Sequence, residues 1–387
     1  MLNFDFYNPT RILFGRGQIA ALAGQLPAGA RVLLLSGGGS IHRNGIHAQV
    51  MAALGAHTVS EFSGIEPNPS FETLMRAVAQ VKAEGISYLL AVGGGSVIDG
   101  AKFIAAAALM GEDEDPWIIL RKGGTTITAA LPIGAVLTLP ATGSEMNSAS
   151  VITRAATHEK RAFMSPHVFP RFAILDPEVT FSLPVRQVGN GVVDAFVHVM
   201  EQYMTYPVDA KVQDRTAEGL LLTLIEDGPR ALSDPLDYDV RANLMWCATQ
   251  ALNGAIGAGV PQDWATHMVG HEITALYGLD HAQTLALVLP GMLRARRDAK
   301  RAKLLQYAER VWQLRGGDED TRIEAAIART EAFFEQMGVK TRLADYGLDA
   351  ASVDAVIAAL DAHRMTKLGE HLDVDLATSR AALAMAL

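Results

Sequence analysis

Hydrophobic positions in the first half of the chain come in short unbroken runs: Arg31–Ser36 (RVLLLS), Tyr88–Val92 (YLLAV), Ala135–Leu139 (AVLTL) and Phe172–Leu175 (FAIL). Continuous apolar runs of this length are how strands buried on both faces of a parallel sheet read. Between them, Phe71–Ala83 and Val97–Met110 carry helical patterns. The alternation predicts a doubly wound α/β domain. From about Leu183 the pattern changes to long helical stretches with few β-rich runs. Ile323, Ile327, Thr330, Phe334 and Met337 mark one helix face, with Gly338 as its stop, and Leu305, Ala308, Val311 and Trp312 mark another. Both read as core stripes. The expected boundary lies near Leu183-Pro184, giving an α/β domain over residues 1–183 and an all-helical domain over 184–387. There is no internal repeat or low-complexity linker, and Glu112–Asp115 (EDED) reads as a solvated turn before Pro116.

A length of 387 residues exceeds what one core usually fills, which agrees with two domains. Hydrophobic residues make up 49% and charged residues 19%, a globular profile. No apolar run approaches the length of a membrane span, and MLNFDFYNPTRILFG has acidic and polar residues where a signal peptide needs an apolar stretch. The single cysteine, Cys247, excludes an intramolecular disulfide and a Cys-rich zinc module; its apolar surroundings predict a buried thiol. A cytoplasmic protein is expected. The net charge of −9 opposes a general role on nucleic acid or anionic membrane. The one basic cluster, Arg294, Arg296, Arg297, Lys300, Arg301 and Lys303, reads as the solvated face of a helix.

Chemistry enters with Asp194-x3-His198 and His267-x3-His271, each placing two donors on one helix face, followed by His281 just past Gly278. Imidazoles together with a carboxylate suit a divalent metal such as Zn2+ or Fe2+. The spacing alone leaves all five residues open as ligands. The order HxxxHE is not the HExxH of zinc peptidases.

Three glycine- or hydroxyl-rich turns follow predicted strands. Gly93-Gly94-Gly95-Ser96 joins YLLAV to the helix VIDGAKFIAAAAL, where glycines admit close approach and a helix N-terminus faces phosphate oxygens; Ser96 is expected to cap that helix and to donate to a phosphate. Gly37-Gly38-Gly39-Ser40 follows RVLLLS, where a dinucleotide fold that prefers NAD carries a carboxylate for the ribose 2′-OH. Small residues and a hydroxyl leave room for a 2′-phosphate, so NADP(H) is expected over NAD(H). The third turn is Thr138–Glu145 (TLPATGSE), suited to a pyrophosphate or the nicotinamide ribose.

With TRILFG (Thr10–Gly15), EPNP (Glu66–Pro69), AVGGGSVID (Ala91–Asp99), LPATGSE (Leu139–Glu145), LDP (Leu175–Pro177), VVDAFVH (Val192–His198) and GLDHAQ (Gly278–Gln283), the chain resembles the iron-containing (group III) alcohol dehydrogenase family over nearly its whole length. DAFVHVMEQY and GAGVPQDWATHMVGHEITALYGLDHAQ are similar to its bacterial NADPH-dependent aldehyde reductases, relatives of the butanol dehydrogenases. The resemblance implies a Rossmann-like N-terminal domain, an all-helical C-terminal domain and an active-site cleft between them. It implies a metal on Asp194, His198, His267 and His281, Zn2+ or Fe2+, with His271 beside the nicotinamide and substrate. It places Gly37, Gly38 and Ser40 around the 2′-phosphate and Asn68 near the adenosine half. Gly94, Gly95, Ser96, Val97 and Asp99 would meet the pyrophosphate, and Thr138, Thr142, Asn147 and Lys160 would flank the nicotinamide half. A homodimer and breadth toward short and medium aldehydes are expected on the same basis.

The chemistry so implied is reduction of an aldehyde by NADPH, with the metal as Lewis acid and His271 as candidate proton donor. Other readings remain in view. One is a glycerol-dehydrogenase-like polyol oxidoreductase. A dehydroquinate-synthase-like enzyme is disfavoured, because no Lys/Arg cluster accompanies the metal candidates. A metal-dependent hydrolase would need a general base such as Glu272 or Asp263. A non-catalytic nucleotide sensor would leave the metal residues without a purpose.

Overall fold

The unbroken apolar runs become the middle of a parallel sheet. The computed structural model describes residues 1–157 and 159–387. Eight strands form: β1 (Arg11–Phe14), β2 (Arg31–Ser36), β3 (Thr58–Phe62), β4 (Tyr88–Gly94), β5 (Ile133–Leu139), β6 (Ala149–Arg154), β7 (Glu159–Met164) and β8 (Phe172–Leu175). Six make one sheet in the order β1-β8-β5-β4-β2-β3, every pair parallel. The four central strands are almost wholly buried, whereas the edges β1 and β3 are half exposed. This explains why β3 escapes the sequence reading: TVSEF has one wet face and no apolar run. The hairpin β6–β7, also unforeseen, is antiparallel and carries charge at its turn end, Arg154 opposite Glu159.

The helices of this region are α1 (Ser40–Arg43), α2 (Ile46–Leu54), α3 (Phe71–Glu84), α4 (Gly95–Ala107) and α5 (Ile118–Arg121). Those that follow are α6 (Val185–Tyr203), α7 (Lys211–Ser233), α8 (Tyr238–Ala251), α9 (Ala265–Tyr277), α10 (His281–Ala295), α11 (Arg301–Arg310), α12 (Glu319–Gln336), α13 (Ala350–Ala362) and α14 (Leu376–Ala384). The chain divides into two compact units, with a break at Leu183/Pro184 and two exchanges the sequence does not announce. Leu236–Thr249, most of α8, belongs with the α/β unit, where Met245 joins the hydrophobic core. Met1–Phe6 belongs with the helical unit.

In the helical unit α6 is buried along nearly its whole length and packs on α7 and α10. Phe196 meets Phe333 and Phe334 of α12 with ring centroids 5.3 and 5.4 Å apart. The α12 stripe is buried as expected. The α11 stripe is rotated: Leu304, Tyr307, Ala308 and Val311 are buried, while Leu305 and Trp312 are only half so. Tyr307 does this, since its ring fills the core and its hydroxyl pairs with Thr330 Oγ1 at 2.6 Å. The basic cluster is not one solvated face. It spans the end of α10, a turn and the start of α11, and it cross-links helices. Lys300, 4% exposed, donates to Met204 O at 2.6 Å and pairs with Asp263 at 2.7 Å and Glu370 at 2.9 Å. Arg294 reaches both Glu324 and Glu331 at 2.7 Å. No helix among the described residues is long and apolar enough to cross a membrane.

In the α/β unit, α4 brings two charges into the core. Lys102 is fully buried, and its ammonium donates to Ser144 Oγ at 2.9 Å, Asn147 Oδ1 at 2.8 Å and Ala149 O at 2.7 Å, which uses all three N–H bonds. Asp99 accepts from Ser144 Oγ at 2.5 Å and Val151 N at 2.9 Å. Burial pushes the Lys102 amine down to about 8 from 10.5, against the opposing pull of Asp99 and Glu145. The unfolded chain therefore holds this proton between about pH 8 and 10.5 when the folded chain does not. The penalty for burying Lys102 is complete below about pH 8 and is relieved as the pH rises toward 10.5. Replacing Lys102 by Met leaves Asp99 buried without its cation, and we expect a loss of roughly 3–5 kcal/mol in urea unfolding of this unit. A change below about 0.5 kcal/mol, typical of surface sites, would sink this account.

Candidate metal centre and cofactor turns

Residues four and seven apart on a helix share a face, and α6 uses that rule to line up Asp194, His198 and Glu201. In α9 the same spacing presents His267 and His271. Gly278, at φ +69°, ends α9 in the left-handed conformation, and the short turn delivers His281 as the first residue of α10. The turn is held to α6 by Asn190, whose Nδ2 donates to Asp280 Oδ2 at 2.8 Å. Three elements thus aim side chains at one point.

Asp194, His198, His267 and His281 each offer one ligand atom, all within 4.8 Å of one another. The first three are 3%, 3% and 6% exposed, so the more open side is that of His281. His198 Nε2 lies 3.6 Å and His281 Nε2 3.7 Å from Asp194 Oδ1. Those gaps are too long for hydrogen bonds. They suit ligands sharing one ion, since bonds of about 2.1 Å at tetrahedral angles separate ligand atoms by about 3.4 Å. Asp194 Oδ1 is buried with no hydrogen-bond partner, an arrangement that a cation satisfies and an apolar wall does not. The residues therefore fit a divalent ion, and the mixture of imidazole and carboxylate suits Zn2+ or Fe2+.

Glu201, unforeseen in the sequence reading, supports this set. One oxygen accepts from His267 Nδ1, and the other accepts from Thr266 N at 2.8 Å and His267 N at 3.3 Å. A carboxylate on the far nitrogen fixes the ring and directs Nε2 inward. Its signal was present as i+7 from Asp194. Burial first, then the nearby Asp263 charge, pushes the Glu201 carboxyl well above the usual carboxylate range. His271, 4% exposed, stands outside the four-residue set; its ring centroid is 5.5 Å from that of His281 and 6.1 Å from that of His267. The two carboxylates a hydrolase would need are engaged elsewhere: Glu272 pairs with His363 Nδ1 at 2.9 Å, and Asp263 with Lys300.

In the α/β unit the three turns leave the C-terminal ends of β2, β4 and β5, which are neighbours in the sheet. Between β2 and β4 the strand order reverses, the place where open α/β sheets bind ligands. Gly38 and Ser40 are exposed, and Gly37 packs so closely that a Cβ there would sit 3.3 Å from Ile65 O. The Arg43 guanidinium lies beside this turn, 3.8 Å from where Gly39 would carry a Cβ, a cation the sequence reading passed over. The β4–β5 ladder slips so that Gly93 pairs with Leu137 and Gly94 with Leu139, leaving Thr138 as the extra residue of a bulge. A Cβ on Gly95 would fall 2.4 Å from Thr142 Oγ1, so only glycine lets α4 begin against the third turn.

Several expected roles shift. Ser96 does not cap α4, because the helix starts two residues earlier than Val97, at Gly95, with Gly94 as N-cap and no side-chain cap. Val97 is buried against Gly93. Asp99 turns its carboxylate inward to Ser144 and Val151; aimed at a pyrophosphate it would repel it. Asn147 Oδ1 is held by Lys102 and by Ala149 N at 3.0 Å. Lys160 Nζ donates to Asn68 Oδ1 at 2.9 Å, so these two, expected at opposite halves of a dinucleotide, mark one place.

Residues 9–177 match the family described as iron-containing alcohol dehydrogenase, and residues 189–370 match its C-terminal region. The sequence is 63% identical to the NADPH-dependent aldehyde reductase YqhD of Escherichia coli over 98% of both chains. The structure is similar to the substrate- and cofactor-free form of that reductase, with a TM-score of 0.94, 60% identity and full coverage of both chains. It is also similar to the NADH-dependent butanol dehydrogenase A of Thermotoga maritima, with a TM-score of 0.94, 35% identity and coverage of 100% and 99%. With sequence and architecture in agreement over both halves, the chain belongs to the iron-containing alcohol dehydrogenase family.

Proposed function

We propose that this protein reduces aldehydes to primary alcohols with NADPH, reversibly, at a single divalent metal held by Asp194, His198, His267 and His281. The observation that carries the reading is the convergence of those four ligand atoms within 4.8 Å around a buried carboxylate oxygen. When bound, the metal supplies Lewis acidity to the carbonyl oxygen and NADPH supplies the hydride. The overall change is RCHO + NADPH + H+ giving RCH2OH + NADP+.

Glu201 sets the tautomer and orientation of His267. His271 supplies the proton to the product oxygen, directly or through water, a role imidazole commonly takes in general acid–base catalysis. Gly37, Gly38 and Ser40 leave space for the 2′-phosphate, with the Arg43 cation beside them and no carboxylate in the turn to repel it. Gly94, Gly95 and Ser96 offer the α4 N-terminus to the pyrophosphate. Thr138, Thr142, Asn147 and Lys160, with Asn68, serve the rest of the coenzyme, while Val97 and Asp99 shape the turn from beneath. Residues 1–183 serve as the coenzyme domain and 184–387 as the metal and substrate domain, with the α8 segment lent to the former. Short and medium aldehydes are the proposed substrates. A homodimer is supported by the exposed apolar side chains of Met1, Leu2, Phe4, Phe6 and Tyr7. A cytoplasmic site agrees with the single buried Cys247 and with use of NADPH.

Loss of NADPH absorbance with butanal should be fast in protein carrying Zn2+ or Fe2+, should stop on chelation and should return with added metal. Persistence of the full rate in protein shown to be metal-free would overturn the mechanism. Changing His267 to Ala should reduce metal content by elemental analysis to near zero, and retained stoichiometric metal would count against the ligand set. In His271→Ala we expect turnover to fall roughly 10²–10⁴-fold with metal content unchanged. Equal loss of metal would make His271 a ligand instead.

A further inference from the structure

A second group of metal-type donors lies on the α/β unit, just past the turn assigned to the 2′-phosphate. His42 of α1, His47 of α2 and Glu61 of β3 each offer a ligand atom, all within 4.8 Å of one another. The imidazole rings of His42 and His47 have centroids 4.1 Å apart at 37°. His47 Nε2 lies 3.1 Å from both oxygens of Glu61. The three are carried on fixed backbone. Ile41 and Ile46, next to the two histidines, are 3% and 2% exposed, and Glu61 sits in register opposite Leu34 of β2. His42 and Glu61 are exposed and His47 is half-buried, so the group faces solvent and an ion can enter.

Two imidazoles and one carboxylate converge here, and one divalent ion uses all three donors. We propose that His42, His47 and Glu61 form a second, solvent-facing site for a borderline divalent ion such as Zn2+ or Cu2+, completed by water. Two nitrogens and one carboxylate oxygen match the preferences of these ions over Mg2+ or Ca2+. Because α1 begins at Ser40, an ion here ties the segment that carries the coenzyme turn to α2 and β3. That consequence, unlike the site itself, rests on the proposed function.

The site is tested in the metal-loaded protein without coenzyme or aldehyde, so its failure is distinct from failure of the dehydrogenase reading. Calorimetric titration with Zn2+ should show one equivalent beyond the tightly held ion, and Cu2+ added at one equivalent should give an electron paramagnetic resonance spectrum with nitrogen hyperfine structure. Both signals should vanish in the His42→Ala/His47→Ala double variant, weaken in Glu61→Gln and persist in His267→Ala. Unchanged binding in the double variant, or no extra equivalent in the parent protein, would overturn the site and leave His47–Glu61 as an ordinary ion pair.

Discussion

Asp194 keeps one carboxylate oxygen buried with no hydrogen-bond donor, and the helical unit is arranged around that fact. A buried anion without donors is strongly unfavourable unless a cation meets it. The surrounding structure supplies the means. The turn after Gly278 sets His281 beside Asp194, the Asn190–Asp280 bond holds that turn to α6, and Glu201 orients His267. A solely structural role for these residues would leave a carboxylate and three imidazoles crowded at distances too long to hydrogen-bond and too short to be indifferent. The proposed coordination accounts for the spacing, for the near-complete burial of Asp194, His198 and His267 and for the more exposed His281.

The α/β unit meets the opposite requirement in the proposed function, a site for phosphate anions. Backbone approach and helix N-termini do that work, which is why glycines gather at the ends of β2 and β4. Beneath them, charge is kept inside and balanced. The ammonium of Lys102 and the carboxylate of Asp99 tie α4 to the segment Ser144–Val151, so the floor of the turn cluster is polar, buried and fixed. Thr249 of α8 reaches Glu145 Oε1 at 2.5 Å in the same layer, which shows how α8 becomes part of this unit although it is read from the second half of the chain.

What the sequence discloses depends on how local the cause is. Strands β2, β4, β5 and β8 are buried on both faces, so their composition announces them; β3 and the β6–β7 hairpin are half wet and carry no unbroken apolar run. The α12 stripe was legible because each position is apolar or compact. The α11 stripe was misjudged because Tyr307 buries a ring whose hydroxyl needs Thr330 of another helix. The histidine spacing brings five residues forward, and family likeness divides them four to one; the ligand atoms of Asp194, His198, His267 and His281 lie within 4.8 Å of one another. Glu201 lies within DAFVHVMEQY at i+7 from Asp194 and Arg43 three residues past Ser40, yet neither is marked by residue type alone. The inward turn of Asp99 was beyond reach, since it follows from where Ser144 and Val151 arrive in three dimensions.

The two units thus handle electrostatics of opposite sign by different means, and this bears on how each tolerates change. In the proposed function, a metal set built from four side chains fails when one ligand goes, because the buried Asp194 oxygen then loses the ion that satisfies it. A phosphate cradle built from backbone N–H groups depends on steric room more than on side-chain chemistry. At Gly95 a methyl group would meet the Thr142 hydroxyl, whereas at Gly38 nothing lies within 4 Å. In the proposed function, coenzyme preference can therefore drift at the open turn while the pyrophosphate turn stays fixed. That asymmetry is consistent with relatives of high structural similarity, one named for NADPH and another for NADH.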